Sequence, residues 1–117
     1  MSDPRPIGFF DSGLGGLTVL RSVRRFFPHE SIVYLGDTAR LPYGTKSATT
    51  IRRYTEQNVQ LLLRRDVKAI VIACNSASTT LLHGNPPLPS PVPIYNVIEP
   101  GARKALQSSI SKRIGVL

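Results

Sequence analysis

The chain has one cysteine, no tryptophan, and only 7 acidic residues against 15 basic ones in 117 positions. A lone thiol forms no internal bridge, so a disulfide-stapled scaffold is excluded and a reducing, cytoplasmic setting is expected. No window approaches the roughly 18 apolar residues of a membrane span. The first turns of the sequence hold no basic segment followed by an apolar run and a cleavage site. What the chain does have is 41% hydrophobic residues, enough for one modest domain, which at this size buries roughly two thirds of the surface its unfolded chain exposes. The net charge of +8 could steer anions or nucleic acid. Yet Arg21, Arg24, Arg25, Arg52, Arg53, Arg64 and Arg65 fall on helical stretches without any RRM, KH or zinc-finger motif, and they read as solvated helix faces.

Short apolar runs alternate with longer amphipathic ones, the pattern of an α/β fold with a parallel sheet. Strands are expected at Ile7 to Phe10, Ser31 to Leu35, Ala69 to Ala73 and Ile94 to Val97. The third lacks alternation and reads as buried on both faces. Leu17, Leu20, Val23 and Phe27 recur at helical spacing until Pro28, and Ile51, Tyr54, Val59 and Leu62 place a second helix at about Ser47 to Arg65. A short helix is expected from Cys74 to near Leu82, and another over Gly101 to Ser108, with Pro100 in its first position. Between them five prolines from Pro86 to Pro93 exclude helix and central strand. Arg113 to Leu117 reads as the opening of a further strand.

In an open α/β sheet, ligands bind outside the carboxyl ends of the strands. Three such ends carry polar residues: Asp11-Ser12, the segment from Asp37 to Tyr43-Gly44, and Cys74-Asn75-Ser76. The glycine-rich turn Asp11 to Gly16 fails the dinucleotide fingerprint, because Thr18 holds the place of its last glycine, and Gly44-Thr45-Lys46-Ser47 is no P-loop. A small carboxylate or amine suits Asp11 and Ser12 better than a nucleotide, and either residue could instead cap the first helix. A cysteine at a helix N-terminus gains thiolate character, whereas a lone cysteine is commonly a small buried hydrophobe; the polar company of Asn75, Ser76, Ser78 and Thr79 favours reactivity at Cys74. His29 and His83 have no partner pattern and read as surface residues.

Three motifs now stand in order: Phe10-Asp11-Ser12-Gly13-Leu14-Gly15-Gly16-Leu17-Thr18-Val19, Gly36-Asp37-Thr38-Ala39-Arg40-Leu41-Pro42-Tyr43-Gly44, and Ala73-Cys74-Asn75-Ser76-Ala77-Ser78. Together they closely resemble the amino-terminal half of glutamate racemase, in the aspartate/glutamate racemase superfamily, and the resemblance continues through Val97-Ile98-Glu99-Pro100-Gly101-Ala102. It implies a parallel-sheet, three-layer α/β domain of that type, incomplete at its C-terminus, with residues 1–97 as the amino-terminal catalytic domain and residues 98–117 as the start of a second. It implies cofactor-independent interconversion of L- and D-glutamate by two cysteines on opposite faces of the α-carbon, supplying D-glutamate for peptidoglycan; no metal is expected, and the composition already argues against a nucleic-acid or membrane partner.

Carried over to matching positions, Cys74 is the first catalytic cysteine, with Asp11 assisting its proton transfers. Asp11, Ser12, Tyr43, Gly44, Asn75 and Ser76 hold the substrate. Ser76 replaces the threonine usual in the family and keeps its hydroxyl. The second cysteine of the family stands in a Gly-Cys-Thr-His motif that this sequence does not contain. The expectation is a truncated racemase inactive alone, unless a homodimer brings two Cys74 thiols to one substrate. The reading from another class is a non-catalytic glutamate-binding module or a degenerate fragment.

Overall fold

The computed structural model describes residues 2–83 and 86–116. Its core is a four-stranded parallel sheet of β1 (Ile7–Asp11), β2 (Ile32–Gly36), β3 (Ala69–Ile72) and β4 (Ile94–Asn96), in the order β2-β1-β3-β4. Helix α1 (Leu17–Phe26) joins the first two strands, α2 (Ala48–Leu63) crosses back over β1, α3 (Asn75–His83) leads from β3 towards β4, and α4 (Ile98–Ser108) follows. Because the chain leaves β1 to one side and returns to the other, the switch in strand order falls between β1 and β3, where α/β folds form their crevice.

Period-two alternation decides which face is covered. Phe10, Ile70 and Ile72 are fully buried in one cluster with Val59 and Leu62 of α2 and Ala77 of α3. Each of these side chains larger than alanine contributes about 1.5–3 kcal/mol of transfer free energy. On the opposite face Ile7, Ala69 and Val71 line an apolar groove of about 610 Å³ with Val19 and Val23 of α1 and Phe27 just after it. Neither α1 nor α4 buries a residue. The sheet therefore has helices on both faces; the face under α2 and α3 is sealed and the other is covered in part, with Phe9 fully buried there and Ile7, Ala69 and Val71 half-buried, so β3 is buried on alternate positions rather than on both faces.

Two helix starts differ from expectation for local reasons. Cys74 precedes α3 instead of occupying its first turn. Helix α4 begins at Ile98 because the Asn96 side chain accepts the N–H groups of Ile98 and Glu99, both at 3.0 Å; this caps the helix three residues earlier than Gly101 and leaves Pro100 in the first turn, where its missing N–H costs nothing. The strand expected at Arg113 to Leu117 does not form over residues 113–116, which are irregular and exposed; Leu117 lies outside the described residues. A strand needs a neighbour to satisfy its backbone, and the Arg113 and Lys112 N–H groups bond instead to the hydroxyls of Ser111 and Ser109.

Candidate functional site

The cleft at the carboxyl ends of β1 and β3 has a volume of about 590 Å³ and is lined by Asp11, Ser12, Tyr43, Gly44, Cys74, Asn75 and Ser76, among others. The seven residues expected to form the site thus line one cleft, whereas Asp37, Ser78 and Thr79 do not. Two glycines allow the close packing beneath it. A Cβ on Gly16 would stand 2.7 Å from the Asp11 Cβ and 3.0 Å from both the Ala73 Cβ and the Tyr34 hydroxyl, and one on Gly36 would stand 2.7 Å from the Gly13 carbonyl oxygen.

Asp11 serves its own turn. One carboxylate oxygen, Oδ2, accepts the N–H of Gly13 at 3.2 Å and of Gly16 at 2.9 Å, which orders the loop entering α1. Among the described residues the other oxygen, Oδ1, has no hydrogen-bond partner. The cap of α1 by Asp11 or Ser12 does not form, because Gly16 stands at the helix start with no side-chain cap; the Asp11 carboxylate orders the preceding turn and lines the cleft instead. Cys74 is 6% exposed. Its sulfur accepts the Ala77 N–H at 3.4 Å, so it caps α3, and its thiol lies 3.5 Å from the Ser12 hydroxyl as donor. Asn75 is exposed and Ser76 half-buried at the start of the same helix, whose free N–H groups and dipole favour negative charge.

Tyr43 lines the cleft, but its hydroxyl is bonded within the domain rather than left free for a ligand. Its ring is 1% exposed and packs tilted against Phe10 and Tyr54, with centroids 6.0 and 5.6 Å away. Its hydroxyl turns inward and donates to Asp37, while the Asn58 amide donates to that hydroxyl at 2.9 Å. Burial and the Asp37 carboxylate push the Tyr43 phenol well up. What Tyr43 offers the cleft is its backbone and ring, with Gly44 beside it; a Cβ on Gly44 would sit 3.5 Å from the Ser76 hydroxyl.

Sequence reasoning missed a supporting layer. Tyr34 of β2 donates to the Gly13 carbonyl at 3.0 Å, and burial, then the nearby Asp11 charge, push its phenol up to about 12, so it stays a donor across the neutral range. A tyrosine within the run Ile-Val-Tyr-Leu was the available signal, since a buried phenol needs a partner. Asn58 was missed as well; it forms a second set with Asp37 and Arg40 of the second motif. Burial pushes the Asp37 carboxyl up, but hydrogen bonds from Tyr43, Asn58 and Arg40 outweigh it and hold the group below the usual carboxylate range. His29 and His83 are exposed. Among the described residues no group of His, Cys, Asp and Glu is arranged to hold a metal, and no helix is long and apolar enough to cross a membrane.

No family model matches the chain. Glutamate racemase of Streptococcus thermophilus is 53% identical over 115 residues, covering 98% of this chain and 42% of that protein. The glutamate racemase structure from Aquifex pyrophilus superposes with a TM-score of 0.84 at 46% identity, covering 94% of this chain and 43% of the other. That of Francisella tularensis, solved in complex with D-glutamate, gives a TM-score of 0.77 at 41% identity over 88% of this chain and 39% of the other. The chain thus spans less than half the length of the proteins it matches, and in both sequence and fold it corresponds to the amino-terminal half of glutamate racemase.

Proposed function

We propose that the cleft takes glutamate and that Cys74 moves its α-proton on one face, as one half of a glutamate racemase site. The observation that carries this reading is the convergence of Cys74, Ser12 and Asp11 from two strand ends on one polar cleft. In the step assigned to Cys74, the thiolate takes the α-proton, an S–H bond forms, and the C–H electron pair passes into the substrate carboxylate. The N-terminus of α3, with Asn75 and Ser76, suits that developing charge, and the carboxylate of Asp11 with the Ser12 hydroxyl suits the substrate's amino group. Inversion requires a second acid to return a proton from the opposite face. The reaction needs no cofactor in this scheme, and its D-glutamate would serve peptidoglycan synthesis in the cytoplasm. Residues from 98 onward would open a second domain facing the first.

The test is alkylation of Cys74 by iodoacetamide with and without ligand. D- and L-glutamate should both slow the reaction several-fold at saturation, while lysine should not. Equal rates under all conditions would overturn the reading. The presence of one cysteine in the chain favours a second reading, a glutamate-binding module without turnover, which predicts the same protection and no racemisation under any assembly.

A further inference from the structure

The cleft wall formed by residues 41–45 has no regular secondary structure beyond a single tight turn, Tyr43–Thr45, closed by the Lys46 N–H on the Tyr43 carbonyl at 3.0 Å. What fixes it is one oxygen. Asp37 Oδ2 accepts from Arg40 Nε at 2.7 Å, from Asn58 Nδ2 at 3.0 Å and from the Tyr43 hydroxyl. Arg40 in turn reaches the Gln57 amide oxygen and lies 4.0 Å over the Tyr54 ring. Asn58, Gln57 and Tyr54 all belong to α2, whose inner face is fixed by the core. The start of the loop is anchored too, because the Asp37 N–H extends the β1–β2 ladder to the Asp11 carbonyl at 2.9 Å. A carboxylate at the end of one strand therefore ties both ends of the loop to the rigid body of the domain.

We propose that Asp37 is a positioning residue of the cleft: through Tyr43 and Asn58 it holds the Tyr43–Gly44 backbone opposite Ser76, so that the site is preformed for its small amino-dicarboxylate ligand. This rests on the glutamate reading above. Asp37 does not line the cleft and touches no ligand in this role. Its contribution is geometric, removing the need to order the loop at the moment of binding. The Tyr43 hydroxyl then acts on ligand affinity from behind, by the same contact.

The experiment uses this chain, with Asp37→Asn, Tyr43→Phe and the double variant. Hydrogen exchange by mass spectrometry is read over residues 41–46 and over β1 and β3, and D-glutamate affinity is read by calorimetry. Asp37→Asn should raise exchange in 41–46 while leaving β1 and β3 unchanged, and should weaken D-glutamate by about tenfold, the equivalent of losing one charge-assisted hydrogen bond. Tyr43→Phe, which removes one oxygen and keeps the packing, should do the same to a smaller extent even if Asp37→Asn folds poorly. The double variant should be no worse than Asp37→Asn alone, because both act through one contact; additive losses would point to general destabilisation and overturn the proposal. Unchanged exchange in 41–46 in both single variants overturns it outright. If the parent chain fails to bind D-glutamate, the glutamate reading falls, and the exchange result alone decides whether Asp37 holds the loop.

Discussion

The Cys74 thiol and the Ser12 hydroxyl, 62 positions apart in sequence, stand 3.5 Å from each other across the switch point of the sheet. Their meeting follows from topology. β1 and β3 are adjacent and parallel, with Phe10 opposite Ile72, so the residues just beyond each strand emerge side by side. The Ala73 N–H bonds to the Phe10 carbonyl at 2.8 Å and carries the pairing one step further. Whatever loads this cleft does so between two helix-entry turns whose backbones are already paired.

That close pairing predicts a severe effect of Gly16→Ala. The added methyl meets the Asp11 Cβ, the Ala73 Cβ and the Tyr34 hydroxyl at once, and two of these belong to paired strands that cannot yield. Overpacking of this kind costs about 1–3 kcal/mol, read as a lower urea midpoint with an unchanged slope. Gly13→Ala is the control, since its Cβ would meet nothing within 4 Å.

Tyr34→Phe should cost about 0.5–1.5 kcal/mol, the net worth of one hydrogen bond, because the phenol supports the Gly13 carbonyl at 3.0 Å. The loss should be localised: faster exchange at the Gly13 to Gly16 amides, with α2 unaffected. Equal stability of the two proteins would mean that the carbonyl finds water without penalty.

Stability should fall in acid with Asp37 as a specific contributor. Its carboxyl is held below the usual range in the folded chain, so the folded state binds the proton more weakly than the unfolded one. The stabilisation is then fully present above the unfolded-state value, about 4, and is lost as the pH falls through the lower folded-state value. Asp3, held down to about 2 by hydrogen bonds from Arg5, titrates in the same window from an exposed position. Comparing urea unfolding of parent and Asp37→Asn from neutral pH to acid isolates the Asp37 share, which should appear as a shallower acid slope in the variant.

How much of this was legible in the sequence depends on the range of the interaction. Each strand was readable because burial imposes its own pattern on consecutive residues, and the cleft residues were readable because polar groups just past an apolar run stand where α/β sheets bind ligands. The Asp37–Tyr43–Asn58 cluster was not: Asn58 lies 21 residues from Asp37 on an amphipathic helix, where a buried amide looks like any other polar position until its partner is in place. Tyr43 shows the same limit, since a motif can place a residue at the cleft without saying which way its hydroxyl turns. The alternation of β3 was hidden because Ala-Ile-Val-Ile is apolar at every position, and only the incomplete cover of α1 distinguishes the two faces. The strand at the end of the chain was an apolar pattern without a neighbour to pair with.

The 117-residue chain should not racemise glutamate. Inversion requires a base within reach of the α-proton on one face and an acid on the other, and in the reading proposed above the single cysteine of this chain would serve one face. Water on the opposite face would be unpositioned, and it would raise the local dielectric and weaken stabilisation of the carbanion. Incubation of purified chain with L-glutamate, followed by a D-amino-acid-coupled assay, should give no signal above that of Cys74→Ser. Racemisation that vanishes in Cys74→Ser would contradict this, and sedimentation of the active species would then say why: activity confined to a dimer would put two Cys74 thiols at one substrate, whereas activity of a monomer would require an acid from this chain that is not a thiol.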